Sequence, residues 1–121
     1  MVFKDIINSK ILSFSAIHDY FKILTDKCCI ILYNPFTLII DKETVDYENV
    51  NAYISEKSSL FENCKIVGYN DQKGDHLIFL LSNGISIDLV TSQMPSSGPE
   101  SFEISFYEDQ TLIVEQIHPF K

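Results

Sequence analysis

The sequence contains no arginine, and this absence narrows the class of partner that the protein can bind. All nine basic residues among the 121 are lysines, and 17 aspartates and glutamates give a formal net charge of −8. The planar fork of arginine suits phosphates and base edges, and a strongly negative chain repels a polyanion at long range. We therefore predict that the protein does not bind nucleic acid directly.

Cysteine and glycine are also scarce, which leaves little from which to build a metal site or a phosphate loop. Cys28, Cys29 and Cys64 show no Cys-x-x-Cys spacing, and their odd number favours reduced thiols in a cytosolic protein. The four glycines form no pattern that cradles a phosphate. We predict no metal, no cofactor and no catalytic residue, and therefore a protein that is not an enzyme.

Long apolar runs are missing as well. No segment approaches the roughly 18 apolar residues of a membrane span, and Met1 to Asp5 lack the charge order of a signal peptide. The composition is otherwise globular, with 45% apolar residues that are mainly branched or aromatic and so favour strands. We predict one cytoplasmic domain that spans residues 1–121.

The strongest local signal is a hairpin in the second half of the chain. An apolar run, Leu77–Leu81, leads into Ser82-Asn83-Gly84, and a strictly alternating segment, Ile85–Leu89, follows. Because both central residues of a type I′ turn need positive φ, an Asn-Gly pair between two such runs predicts that turn. We expect Ile85, Ile87 and Leu89 to face the core.

The chain also contains an internal repeat, roughly residues 6–33 and 61–90. Ile6–Phe14 matches Phe61–Tyr69 at an offset of 55 residues, and both segments contain Asn-x-Lys-Ile. Tyr20–Tyr33 matches Leu77–Val90 at an offset of 57. Each half is then a strand followed by a hairpin, and two such meanders can bury together a face that one cannot. The alternative is chance similarity between two β-rich segments.

One helix is predicted between the two repeats. Tyr47, Val50, Tyr53 and Ile54 recur at spacings of three and four residues, which is typical of an amphipathic helix over about residues 46–55. Asp46 or Thr44 could cap its start. Glu48 lies in the predicted first turn, where a negative charge interacts favourably with the helix dipole. The polar residues 41–46 that precede it are predicted to form a loop.

The end of the chain predicts a second hairpin and completes the fold class. Alternating residues in Phe102–Tyr107, a turn at Glu108-Asp109-Gln110 and a return over Thr111–Glu115 indicate a hairpin at about residues 101–116. With about eight strands and one helix, we predict an α+β fold that is predominantly antiparallel β. It consists of two repeated three-stranded meanders, a C-terminal hairpin and the helix.

Two pairs, each of a histidine next to an aspartate, suggest an alternative function. His18-Asp19 and Asp75-His76 each lie at the mouth of a predicted hairpin, in positions that the repeat appeared to relate. Such a pair could exchange protons in catalysis, so an enzyme that uses it remains one alternative. The simpler interpretation is that these are polar turn residues.

Several segments resemble immunity-like proteins of bacterial polymorphic toxin and contact-dependent growth inhibition systems. They are Asn-x-Lys-Ile before a strand, Ser82-Asn83-Gly84 after an apolar run, the alternating Ile-Ser-Ile-Asp strand, and Gly98-Pro99-Glu100-Ser101 before Phe102. The resemblance implies a small cytoplasmic protein, without catalytic residues, that binds one cognate toxin domain and blocks it. Many such toxins are nucleases with basic surfaces, which would suit the acidity of this chain.

The acids that would meet a basic toxin fall into two predicted clusters, one before the helix and one after residue 70. Simple solubility is the other interpretation of this charge. A small-molecule-binding or scaffold module with an apolar pocket between the meanders is a further alternative, and a homodimer is also left open. The predicted partner-binding residues are Asp41, Glu43, Asp46 and Glu48 in the first cluster and Asp71, Asp75, Glu100, Glu103, Glu108 and Asp109 in the second.

Overall fold

The structure is a computed structural model that describes residues 6–70, 75–91, 100–107 and 112–116, with the backbone alone at 100, 101 and 112–116. Within these ranges the chain forms ten strands and one α-helix. In the described part of the chain, no helix has the length and apolarity needed to cross a membrane. The elements are β1 Ile11–Ile17, β2 Tyr20–Thr25, β3 Cys28–Leu32, β4 Phe36–Ile40, β5 Glu43–Val45, α1 Tyr47–Glu56, β6 Ile66–Asn70, β7 His76–Leu81, β8 Ser86–Val90, β9 Glu100–Phe106 and β10 Leu112–Gln116.

The strands form two five-stranded sheets in which all the neighbours are antiparallel. The first sheet has the order β1-β2-β3-β9-β10, and the second has the order β5-β4-β8-β7-β6. This confirms the predicted α+β class, predominantly antiparallel β. The C-terminal hairpin is β9 and β10, and the helix α1 connects β5 to β6.

Each meander is completed by a hairpin from the other half of the chain. The order β1-β2-β3 corresponds to β6-β7-β8, and the hairpin that follows each meander pairs with the last strand of the other one. Leu32 of β3 lies opposite Phe102 of β9, and Leu89 of β8 lies opposite Phe36 of β4. The two sheets are therefore related by an approximate two-fold arrangement, and each contains strands from both halves.

Strand pairing corrects the sequence alignment by one residue in the second strand of each repeat. Phe21 lies opposite Leu32 and Leu77 lies opposite Leu89, so β2 corresponds to β7 at an offset of 56 rather than 57 residues. The alternation of buried residues agrees, since Phe21 and Leu77 are both buried. The extra residue lies in the turn Ser82-Asn83-Gly84. A one-residue slip matters because it moves every side chain to the other face of the sheet.

The two repeats meet at a short junction where their Asn-x-Lys-Ile segments pair with each other. Lys10 and Lys65 are antiparallel bridge partners, while Asn8 and Asn63 both adopt a left-handed conformation, with φ of 72° and 68°. The backbone bonds are reciprocal, so each repeat contributes the same donors and acceptors. They run from Asn8 N–H to Ile66 O (2.7 Å), Asn63 N–H to Ile11 O (2.8 Å), Ile11 N–H to Cys64 O (2.7 Å) and Ile66 N–H to Ser9 O (3.0 Å).

One hydrophobic core lies between the two sheets. The Phe36 ring of the second sheet has its centroid 4.8 Å from that of Phe21 and 6.0 Å from that of Phe14, both on the first sheet. Val50 and Ile54 place one side of α1 against the same core. The helix begins after Asp46, whose side chain makes no capping hydrogen bond, and Glu48 lies in its first turn as predicted.

The predicted hairpin around Gly84 is confirmed, but its turn type is different. Leu81 O accepts a bond from Gly84 N–H at 3.1 Å, and Leu81 N–H donates to Ile85 O at 2.9 Å. Gly84 has a φ of 90°, whereas Asn83 is not among the described residues with positive φ. The connection is therefore a three-residue loop that ends in a left-handed glycine, rather than a two-residue type I′ turn.

The prediction of a loop over residues 41–46 is wrong for part of that segment. Glu43–Val45 forms β5 and pairs with Leu38–Ile40 of β4. A three-residue polar strand carries almost no local signal, and it forms because β4 offers it an edge to pair with.

Candidate partner-binding surface

The predicted acids nearest the helix lie together on one short stretch of the chain. Asp41 occupies the β4–β5 turn, Glu43 lies on β5, Asp46 is the N-cap residue of α1, and Glu48 lies in its first turn. All four side chains are exposed. We call residues 41–48 the acidic segment.

Backbone geometry explains why the first of these positions suits an aspartate. Ile40 and Glu43 are paired, so Asp41 and Lys42 form a two-residue turn, and Asp41 has a φ of 57°. Asparagine and aspartate tolerate this left-handed region better than other non-glycine residues. Asp41 therefore serves the turn as well as the charge of the acidic segment.

Tyr47 lies in the acidic segment, and its ring packs against two aromatic rings of the core. Its ring centroid is 6.1 Å from that of Phe21 and 5.7 Å from that of Phe36, with the ring planes at 65° and 68°. Both phenylalanines are buried, whereas Tyr47 remains 36% exposed. The tyrosine is thus a pre-positioned aromatic side chain between two exposed acids, Asp46 and Glu48.

The charge of a further carboxylate, in a turn of the first sheet, acts on Tyr47. Burial raises the pKa of the Tyr47 hydroxyl, and the negative charge of Asp19 raises it further. Asp19 is exposed in the β1–β2 turn, next to His18. Asp19 is not among the predicted partner-binding residues, because the two segments are far apart in the chain and no local pattern relates them.

No lysine among the described residues forms an ion pair with the acidic segment, although Lys42 lies within it and reduces its net negative charge. In the parts of the chain that the structure describes, the ion pairs join His76 to Asp75 at 3.8 Å and to Asp88 at 2.7 Å, and none involves a lysine. Surface ion pairs add little stability, but they would cancel the field of the carboxylates. The acidic segment therefore presents its negative charge to solvent.

The second predicted cluster is divided between the two sheets. Asp75 is exposed just before β7 of the second sheet. Glu103 is half-buried on β9 of the first sheet, where its Oε1 accepts a bond from the Tyr33 hydroxyl at 3.4 Å. Glu100 begins β9, and its side chain is not described. Asp71, Glu108 and Asp109 lie outside the described residues.

His76 and Asp88 form a close polar contact on the second sheet. His76 Nδ1 lies 2.7 Å from Asp88 Oδ1, and Nε2 lies 3.8 Å from Asp75 Oδ1. An ionised carboxylate only accepts, so Nδ1–H is then the donor, and this bond orients the ring. Both side chains are partly exposed and lie across β7 and β8.

The interpretation that His18 and His76 occupy related positions is wrong. Strand pairing makes Tyr20, rather than His18, the counterpart of His76. His18 is an exposed turn residue with a φ of 54°. The two histidines are 58 residues apart, whereas β2 and β7 correspond at an offset of 56.

The three cysteines are not in disulfides, and burial lowers the reactivity of two of them. Burial raises the pKa of the Cys28 and Cys29 thiols, so both favour the neutral form that is a poor nucleophile. The Cys64 thiol lies 2.9 Å from Leu60 O, which it can bond as a donor. Among the described residues, no three histidine, cysteine, aspartate or glutamate side chains converge to hold a metal ion.

The acidic segment with Tyr47 is thus the surface on which charge, exposure and a fixed aromatic ring coincide. No family model, curated protein or solved structure matches this chain. A proposal for its function therefore depends on the geometry of its own residues and on the sequence features described above.

Proposed function

We propose that the protein is a non-catalytic, cytoplasmic immunity protein that binds and neutralises a basic toxin domain of the nuclease type. The observation that carries the proposal is the exposed ring of Tyr47, held by buried Phe21 and Phe36 and flanked by exposed acids. The resemblance of the sequence to immunity-like proteins of toxin systems supports the same function.

The arrangement has the physical properties of a binding centre with a charged rim. Aromatic side chains fixed before binding lose little conformational freedom, and they supply much of the affinity at protein interfaces. Carboxylates around them mainly accelerate encounter with a basic partner and disfavour partners of the same charge. Asp41, Glu43 and Glu48 would form this rim.

An acidic inhibitor also suits the chemistry of a nuclease. An enzyme that binds a polyanion presents positive charge to it, and a surface of carboxylates competes for that same charge. The protein would then block its target by occupying the basic surface, without any reaction of its own.

Co-expression with the toxin domain tests the proposal directly. If the gene lies downstream of a toxin gene, we expect its product to co-purify with the C-terminal domain of that toxin and to restore growth. A chain that neither binds nor protects against the product of the adjacent gene would refute the proposal.

Two sets of variants with equal changes in charge then locate the interface. We expect Glu43→Lys with Glu48→Lys to slow association about tenfold or more and to reduce its salt dependence. The matched control, Glu56→Lys with Glu62→Lys, should retain rapid association. Equal losses in both pairs would show that only net charge matters.

The aromatic centre is tested separately from the charges. Tyr47→Ala should weaken binding by about 2 kcal/mol or more, mainly through faster dissociation, whereas Tyr47→Phe should retain most of the affinity. The melting temperature of each variant is measured alongside, because Tyr47 also contacts the core. Wild-type affinity in a folded Tyr47→Ala protein would exclude this residue from the interface.

An enzyme that uses His76 and Asp88 is the second candidate, favoured by their 2.7 Å contact. His76→Asn separates the two candidates, since it removes the imidazole ring and leaves the acidic segment unchanged. Full growth rescue by this variant would support inhibition by binding, and its loss in a folded protein that still binds would support catalysis.

A small-molecule-binding module has less support from the structure. In the described part of the interior, aromatic rings such as Phe14 and Phe61, with centroids 5.1 Å apart, fill the space between the sheets. Every buried side-chain nitrogen or oxygen in that part has a hydrogen-bond partner. The described core therefore offers no unpaired polar group to orient a ligand.

A further inference from the structure

The Asn-x-Lys-Ile motif occurs twice, and the fold brings its two lysines side by side. Lys10 and Lys65 are bridge partners at the junction of the repeats. The flanking backbone bonds, Ile11 N–H to Cys64 O and Ile66 N–H to Ser9 O, surround this pair without joining it directly. Such a pair is the closer of the two antiparallel types, with its side chains on the same face and Cβ atoms about 5 Å apart.

This position is electrostatically unfavourable for two lysines. Like charges directly opposite each other destabilise an antiparallel pair. Lys65 is exposed and Lys10 is half-buried, so water screens the charge of Lys10 less than that of Lys65. Lys27 adds a third cation near the junction, since its Nζ donates to Ile7 O at 3.5 Å.

No described acid forms an ion pair with these lysines, although the Asp26 carboxylate lies close to Lys10. Asp26 Oδ1 accepts a bond from the Lys10 backbone N–H at 2.8 Å, but the described ion pairs include no contact between a carboxylate and a lysine ammonium. In the second repeat the same role belongs to Ser82, whose neutral Oγ accepts from Lys65 N–H at 3.0 Å. In a chain of net charge −8, this junction is a local concentration of positive charge.

We propose that the Lys10–Lys65 pair is a binding site for a small, doubly charged oxyanion such as phosphate. An anion between two ammonium groups replaces their mutual repulsion by two charge-assisted hydrogen bonds. The site goes beyond the proposed immunity function and does not depend on it. Because both repeats supply it, its occupation would also stabilise the contact between the two halves.

Thermal unfolding in phosphate and in chloride of equal ionic strength tests the site. We expect inorganic phosphate at millimolar concentration to raise the melting temperature of the wild type above its value in chloride. Lys65→Gln and Lys10→Gln should each lose this response, and removal of the repulsion should leave them at least as stable as the wild type in chloride. The matched control is Lys22→Gln, which removes a lysine on β2 of the first sheet and should keep the full response.

A second measurement locates the anion without a substitution. In a phosphate titration of the wild type followed by amide NMR, we expect saturable shifts that are largest at Lys10, Lys65 and their neighbours. Equal melting temperatures in phosphate and chloride would overturn the site. So would an equal phosphate response in Lys65→Gln and the wild type, or shifts spread evenly over all the lysines.

Discussion

The two halves of this protein are nearly alike on their inner faces and different on their outer faces. Within the described strands, the corresponding inner positions compared below are apolar in both sheets apart from Thr25, which is buried and whose hydroxyl donates to Cys28 O at 3.0 Å. The corresponding buried residues are Phe21 and Leu77, Ile23 and Phe79, Thr25 and Leu81, Ile30 and Ile87, Leu32 and Leu89, Phe36 and Phe102, and Leu38 and Ile104.

The outer faces have diverged in chemistry. In the first sheet the rings of Tyr20 and Tyr33 lie 5.9 Å apart, and Tyr33 bonds to Glu103. At the corresponding place on the second sheet His76 bonds to Asp88. Inner positions must fill one shared core, whereas outer positions meet solvent and only need to tolerate a strand. The repeat therefore preserves packing, whereas the polar contacts are specific to each sheet.

The acidic segment belongs to neither repeated meander. It comprises the β4–β5 turn, β5 and the start of α1, and α1 connects the two halves. The surface proposed to bind the toxin is therefore an addition to the symmetric framework. Its exposed acids can change without affecting the core that the two sheets share.

The largest expected loss of stability follows removal of either of two corresponding phenylalanines from the core. Phe36→Ala and Phe102→Ala should each cost about 3–5 kcal/mol of unfolding free energy, because both side chains are fully buried. We expect similar costs, because the two residues occupy corresponding places in the core, where the Phe36 ring contacts Phe14, Phe21 and Tyr47. Urea unfolding measures both.

The milder changes Phe36→Leu and Phe102→Leu serve as controls if either alanine variant fails to fold. A much smaller cost at one of the two positions would show that they do not contribute equally to the core, and would weaken the correspondence between the two halves.

The turns provide the next contrast. Gly84→Val should cost about 1–3 kcal/mol, because a β-branched residue resists the φ of 90°. No atom lies within 4 Å of an added Cβ, so the cost would be conformational rather than steric contact with neighbours. In the shorter turn of the first half, Lys27→Val should cost much less, because Lys27 is exposed and lacks a positive φ. Chemical denaturation of the two variants gives the comparison, and similar costs would contradict it.

Substitution of the corresponding asparagine in either half of the junction should cost the same stability. Asn8→Ala and Asn63→Ala place alanine at φ of 72° and 68°, and each should cost about 1 kcal/mol. Asn8→Gly and Asn63→Gly should be close to neutral, because glycine adopts this conformation freely. Thermal unfolding of all four variants checks the symmetry. A cost at one asparagine alone would indicate that the two repeats contribute unequally to the junction.

The smallest expected effect concerns the outer face of the second sheet. A double-mutant cycle on His76→Ala and Asp88→Ala should give a coupling of about 0.5–1 kcal/mol, because both side chains are partly exposed. A coupling of several kcal/mol would mean that outer polar contacts support the fold as strongly as the core does. The matching cycle on Tyr20 and Tyr33 shows whether the two outer faces differ in strength as well as in chemistry.

Local signals were sufficient for part of the fold. The Asn-Gly hairpin, the amphipathic stripe of α1 and the alternation in β9 all depend on spacings within a few residues, and the structure confirms these elements. β5 was missed because its stability comes from pairing with β4 rather than from its own residues. The offset of β2 was misjudged because a repeat alignment cannot show in which turn an extra residue lies.

The sequence by itself determined the class of the fold, since the period of its apolar residues decides strand or helix wherever burial is one-sided. It also determined the negative charge and the exposure of the acidic segment, which is too polar to be buried. Only the tertiary structure placed the charge of Asp19 near Tyr47, set Phe21 and Phe36 behind its ring, and brought Lys10 opposite Lys65. These contacts join residues that are distant in the chain and depend on which strands pair. Local sequence patterns do not predict the order of strands in a sheet, so they do not predict these contacts either.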